Sequence, residues 1–282
     1  MALITVMIFT QGASAEIFYG STAPYEDWES RDLMLLTAFK TGQSDCMLLE
    51  ANGEVMMVDA GFETYRDDLI PALEELGITE FKYLFNTHFH EDHIGGFYWI
   101  MKHGFAVGEY LHPYEESSRN NVRRHHKTLT MAETMNVPIR QISGGTVLEL
   151  GEAVIRLYRY EEEPNANAKS VIAHVTYGDS TILLGADIIG ITQRYFAANL
   201  DPKRLKADIV KAPHHGITAM AAEFIEAIDP KMILFTAPSR RAGKGIGQAK
   251  RRDLEYFCSG DGTVTLETDG VDWYVRQKKK AF

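Results

Sequence analysis

The chain has 282 residues, 45% of them hydrophobic and 24% charged, which is ample for a continuous core and excludes a disordered chain. With 29 Lys and Arg against 39 Asp and Glu, its formal net charge of −10 excludes wholesale wrapping by nucleic acid. No apolar run approaches the ~20 residues needed to span a bilayer, and no proline-rich linker, repeat or low-complexity tract divides the sequence, so one domain is expected over 16–282.

The amino terminus opens on an apolar run over 2–10, followed by Ala13-Ser14-Ala15, which has the shape of a signal-peptidase site. The expectation is a signal peptide over 1–15 and an extracytoplasmic or secreted mature protein. The basic residues that normally precede such a run are absent, so the alternative is a retained first strand and a cytoplasmic protein. Cys46 and Cys258 permit one disulfide but form no framework.

Beyond this segment, apolar stretches separated by glycine turns predict strands over 33–39, 46–51 and 54–59. A helix over 65–76 carries Leu69, Leu73 and Leu76 on one stripe and ends at Gly77. A buried strand over 81–86 follows, then a helix over 95–103, a polar helical stretch over 113–136, and strands over 147–160, 171–177 and 181–184. From residue 207 the order is a strand, a His-His-Gly turn, a helix over 219–228, a strand over 232–236, a helix near 248–257 and a closing hairpin. Strand-rich blocks alternating with helices predict an α/β (α+β) chain folded as a four-layer αββα sandwich.

The most informative segment is His88-Phe89-His90-Glu91-Asp92-His93, three imidazoles and two carboxylates in six residues. Alternate residues of an extended segment point the same way, so His88 and His90 can grip one ion. Asp92 and His93, on the turn that follows, can grip a second. Zinc takes imidazole nitrogen and carboxylate oxygen readily. A solvated histidine-rich loop would not explain this order of residues.

These residues resemble the signature of the metallo-β-lactamase superfamily. The likeness extends through Gly42-Gln43-Ser44-Asp45, Asp59-Ala60-Gly61, Asn167-Ala168-Lys169-Ser170, Gly185-Ala186-Asp187 and His214-His215-Gly216. The series is most similar to the hydrolase domain of ComEC-type DNA-uptake proteins and to secreted relatives that include phosphorylcholine esterases. Ser44 stands where that family usually has Gly, and Ile217 where it often has Ser.

The resemblance implies a metallo-β-lactamase sandwich and a metal-dependent hydrolase with two divalent ions, zinc or else manganese. His88 and His90 would hold the first ion, Asp92 and His93 the second, and Asp187 would bridge. One histidine of His214-His215 completes the second site. Analogy with related H-x-S endings favours His215 as the ligand and His214 as the donor to developing negative charge, although the residues alone allow the reverse. Asp92 would orient a shared metal-bound hydroxide, formed because a metal lowers the pKa of water to about 7. A third histidine for the first ion is missing; the resemblance has Asn167 and Ser170 there, which suits a weaker first site or contact with substrate oxygens, and His112 is the nearest substitute by sequence. Asp59 reads as structural, His174 as packed, and His103, His125 and His126 as surface residues.

The segment 239–252 carries six basic and no acidic residues. Its Arg240, Arg241 and Lys244, on an expected loop near the metals, suit phosphate binding, although a solvated basic loop is the plainer reading. Arg119, Arg123, Arg124 and Lys127 form a second basic cluster. The expected substrate is therefore a phosphodiester, either single-stranded nucleic acid or a small molecule. The alternatives are hydrolysis of another ester, lactone or β-lactam, or a metal-binding protein without hydrolysis.

Overall fold

The computed structural model describes residues 15–114, 122–162, 165–279 and 282. Residues 1–14 of the expected signal segment and Arg119 of the second basic cluster lie outside these. Among the described residues, sixteen strands form two sheets. The first half of the chain supplies β1 (Ile17–Tyr19), β2 (Met34–Ala38), β3 (Cys46–Ala51), β4 (Glu54–Ala60), β5 (Glu80–Phe85), β6 (Ala106–His112) and β7 (Ile139–Gln141). Then come β8 (Val147–Leu150), β9 (Ala153–Tyr158), β10 (Ile172–Tyr177), β11 (Ser180–Leu184), β12 (Ile209–Lys211), β13 (Met232–Phe235), β14 (Glu255–Cys258), β15 (Gly262–Thr268) and β16 (Trp273–Lys279). The order is β1-β16-β15-β2-β3-β4-β5-β6-β7 in one sheet and β14-β13-β12-β11-β10-β9-β8 in the other.

Two faces meet in a shared core: Met34, Leu36, Leu49, Met56 and Phe85 from the larger sheet against Ile155, Leu157, Val175, Ile182 and Leu234 from the smaller. Each sheet has a second apolar face, and each is covered by helices. On the larger sheet α1 (Arg66–Glu75), α3 (Phe97–His103) and α4 (Val122–Thr134) contribute Leu69, Leu73, Phe97, Ile100 and Ala132. On the smaller, α5 (Gly190–Asn199), α6 (Ala222–Ile228) and α7 (Gly243–Arg251) contribute Phe196, Phe224, Ile225 and Ala249. The single-turn α2 (Glu91–Ile94) adds Ile94 to the apolar cluster on the larger sheet. The four-layer αββα metallo-β-lactamase sandwich expected from sequence is the architecture observed.

The differences are local. The strand expected over 147–160 is a hairpin, β8 and β9, turning at Gly151 in the left-handed region. The helix expected near 248–257 begins earlier, at Gly243, and gives way to edge strand β14. Gly245 is required by packing: a Cβ there would lie 2.6 Å from the Gly216 carbonyl oxygen and from the Phe235 ring. Cys46 and Cys258 are both buried and unpaired. No helix among the described residues is long and apolar enough to cross a membrane.

What positions the site is strand direction. β4, β5 and β6 run parallel in one sheet, and β11, β12 and β13 in the other. Ligands of open α/β sheets gather beyond the carboxyl ends of such strands. Three backbone bonds stitch the two sheets and their loops together at that edge: Ser44 N to Thr236 O (3.1 Å), Asp45 N to Asp92 O (3.1 Å) and Val171 N to Thr87 O (3.1 Å).

Candidate metal centre

Asp59 is the penultimate residue of β4, and β5 leads through Asn86 and Thr87 into His88. The buried Asp59 carboxylate accepts from Thr87 N (2.8 Å), Thr87 Oγ1 (2.6 Å) and Asn86 Nδ2 (2.9 Å), and contacts His93 Nδ1 (2.6 Å). It thus pins the strand end and the α2 turn to each other. With Nδ1–H directed at Asp59, His93 presents Nε2. His88 is set similarly, its Nδ1 3.2 Å from the Thr87 hydroxyl and its Nε2 3.0 Å from His90 Nδ1.

The smaller sheet contributes the opposite wall. Asp187 follows β11, with Oδ1 3.4 Å from His93 Nε2 and 3.5 Å from His215 Nε2, and Oδ2 3.9 Å from His88 Nε2 and from His214 Nε2. His215 Nε2 is also 3.1 Å from Asp92 Oδ2. Its Nδ1 lies 3.1 Å from both Asp45 Oδ1 and Thr236 Oγ1. His214 is turned outward, its side chain 28% exposed where that of His215 is fully buried.

The turn that separates these neighbours is strained. His214 and His215 both have left-handed backbones, at φ 51° and 57°, as does Ala186 at φ 42°. Such conformations cost about 1–3 kcal/mol each for ordinary residues and persist where the surroundings over-determine them. Here the hydrogen bonds from His214 N to Ala186 O (2.9 Å) and from Ile217 N to His214 O (3.1 Å) hold them.

The donor set fits metal ions. His88, His90 and Asp187 bring ligand atoms within 4.8 Å of one another, and so do Asp45, His93, Asp187 and His215. His93 Nε2 and Asp187 Oδ1 are buried and have no hydrogen-bond partner, a costly arrangement unless a cation completes it. The electrostatics agree. Burial disfavours the charged form of His215, but Asp187 and Asp45 outweigh it and lift the imidazole to about 9. His93 is likewise raised, burial being overcome by Asp187 and Asp59. Asp92 is held at about 2, burial being offset by the hydrogen bond with His215 and the charge of His93. The pocket thus concentrates negative potential that a divalent cation would satisfy. Burial lowers His88, His90 and His214, which favours the neutral imidazole.

Of the expected site residues, His88, His90, Asp92, His93, Asp187, His214 and His215 converge. Asn167 lies beside His90, whose pKa its side chain raises against the larger effect of burial, and its Oδ1 is buried without a partner. Ser170 differs from its expected contact with substrate. It is fully buried and its hydroxyl donates to the Asn167 carbonyl (2.8 Å), so it shapes the loop that carries Asn167. His112 does not reach the centre; it packs between Tyr110 and Tyr114. His125, expected on the surface, is buried against His112 and Tyr114. His174 is packed, bonded to the Lys206 carbonyl (2.9 Å). Arg240, Arg241 and Lys244 are exposed, at the approach to α7 and on its first turn, which packs against Gly216.

Sequence reasoning gave no role to Asp45, Lys211, Thr236 or Asn86. Asp45 and Lys211 stand inside motifs that the sequence displays, and their polarity beside apolar strands was the available signal.

Residues 40–236 match the metallo-beta-lactamase superfamily, and the chain belongs to that superfamily. It is 26% identical over 217 residues to ComE operon protein 3 of Bacillus subtilis strain 168, covering 70% of this chain and 27% of that protein, so the chain spans about a quarter of this relative's length. Among solved structures it is similar to a mutant of the CmlA β-hydroxylase of Streptomyces venezuelae, at TM-score 0.54 and 13% identity, covering 80% of this chain and 52% of that one. It is also similar to the metallo-β-lactamase fold protein YhfI of Bacillus subtilis, at TM-score 0.53 and 10% identity, covering 80% and 96%. These structures share the fold. A hydroxylase among them illustrates that chemistry resides in the site and not in the fold.

Proposed function

We propose that the chain is a metal-dependent phosphodiesterase acting on single-stranded nucleic acid or a small phosphodiester. In this reading His88 and His90 would hold the first ion, Asp92, His93 and His215 the second, and Asp187 would serve both. The observation that carries the metal reading is the meeting of two unpartnered buried atoms, His93 Nε2 and Asp187 Oδ1, 3.4 Å apart. Two divalent ions, zinc or manganese, would supply Lewis acidity and water ionised near neutral pH.

The protein's own groups divide the remaining work. Asp92, ionised and partly exposed, orients the attacking water. His214 faces the opening and donates a hydrogen bond to charge developing on the substrate. Asn167 contributes a polar contact beside His90. Support for a phosphodiester comes from Arg240, Arg241 and Lys244, exposed and without ion-pair partners among the described residues, on a segment packed against the histidine turn. The ComEC-type resemblance points the same way.

Metal analysis of the purified protein, with hydrolysis of bis-p-nitrophenyl phosphate, single-stranded DNA and choline phosphodiesters before and after chelation, tests this reading. Chelation should abolish turnover and zinc or manganese restore it. Full activity without metal overturns the mechanism. Rapid cleavage of a lactone or β-lactam with all phosphodiesters inert would reassign the substrate. We further propose export: the first strand begins at Ile17, just past the Ala13-Ser14-Ala15 site, and the native protein should start at Glu16 on amino-terminal sequencing. An intact Met1 would refute this.

A further inference from the structure

Lys211 ends β12 and is the one lysine or arginine among the described residues that is fully buried. A buried ammonium is costly unless paired and fully hydrogen-bonded, so what it touches is informative. Its Nζ pairs with Asp45 Oδ2 and donates to the Ala186 carbonyl at 2.8 Å. Ala186 is the strained residue preceding Asp187.

Both carboxylate oxygens of Asp45 already have protein partners. Besides Lys211 it accepts from Thr236 Oγ1 (2.5 Å) and faces His215 Nδ1 (3.1 Å), while its backbone N–H bonds the Asp92 carbonyl (3.1 Å). It also lies 3.9 Å from His93 Nδ1, the ring nitrogen that faces Asp59 and not the unpartnered Nε2. Asp45 is therefore a support for ligands and not one of them.

We propose that Lys211 is a positioning residue for the second ion: it locks Asp45 and the Ala186 carbonyl together and so sets the mutual placement of Asp92, Asp187 and His215. The three segments come from distant parts of the chain, and this ion pair is where all three are tied. Through Asp45 it also keeps the His215 proton on Nδ1, leaving Nε2 as the open atom. Partners of metal-ligating histidines of this kind are typically worth about 10–100-fold in metal affinity. The inference rests on the two-ion reading above.

The test is stepwise zinc affinity, read by competition with a chromophoric chelator on the full chain, with circular dichroism to verify the fold. Nitrogen NMR of the zinc-loaded imidazoles reports the His215 tautomer. Wild type should bind two ions. Lys211→Met should weaken the second by about 10–100-fold with a smaller effect on the first. Thr236→Val, which keeps the ion pair but removes one donor to Asp45, should weaken the second ion to a lesser degree; it carries the test if Lys211→Met does not fold. Lys231→Met breaks the partly exposed pair with Asp208 and should leave both affinities unchanged. Equal weakening of both ions, or of neither, in the folded variants overturns the proposal. A wild-type protein that binds fewer than two zinc ions overturns the two-ion reading itself.

Discussion

The two walls of the candidate metal centre are built differently. The wall on the larger sheet comes from one run of six residues, His88 to His93, held by Asp59 at the end of the neighbouring strand. The wall on the smaller sheet is assembled from Asp187, the His214-His215 turn and Thr236, beyond three parallel strands, and is joined to the first through the buried Asp45–Lys211 pair as well as the backbone bonds between the sheets. A contiguous wall can be preorganised by local hydrogen bonds. A discontinuous one depends on the packing of the two sheets, and it has left-handed backbone at Ala186, His214 and His215, where the first wall has it at Asp59. Damage to the first wall should therefore be local, and damage to the second should spread.

The largest expected effect follows from Asp187, which belongs to both ligand groups. Asp187→Ala should weaken both ions and lower kcat/KM by at least about 100-fold. His90→Ala, confined to the first group, should release one ion. Metal content by mass spectrometry checks both, and loss of a single ion from Asp187→Ala would break the idea of a shared carboxylate.

The neighbouring histidines sharpen the contrast within one turn. His215→Ala should lose the second ion. His214→Ala should keep both ions and lose turnover by about 100-fold or more. The reverse pattern would exchange their roles.

A smaller effect concerns stability on the larger-sheet side. Burial pushes His112 and His125 down from 6.5 to about 4. As pH falls below 6.5 the unfolded chain binds protons that the folded chain refuses, so stability is lost between about 6.5 and 4. Denaturant midpoints of metal-free protein at pH 7 and pH 5 measure this, and His125→Phe should flatten the slope. An unchanged slope would remove His125 from the account.

The mildest expected effect lies outside both walls. Replacing Arg240, Arg241 and Lys244 with neutral residues should raise KM for an anionic substrate several-fold and leave metal content unchanged. If the segment follows a nucleic-acid backbone, the difference should shrink as salt rises. A salt-insensitive change would favour a small phosphodiester held by specific hydrogen bonds.

The αββα layering was legible in the chain because strand and helix periodicities are local. So was the first wall, because its residues are adjacent in sequence. Asp187 and the His-His-Gly turn stood out as polar residues ending apolar strands. Their distance from His88 did not, since only the pairing of β11 with β12 and the stacking of the two sheets bring them together. Tertiary structure alone decided that His215 turns inward and His214 outward, because left-handed backbone at both positions points adjacent side chains in different directions. It alone buried His125, read from sequence as a surface residue, and Ser170, which the resemblance had placed against substrate. It also gave Asp45 and Lys211 their place: residues 166 apart in sequence meet as an ion pair, and no local pattern encodes a contact whose two halves are fixed by different sheets.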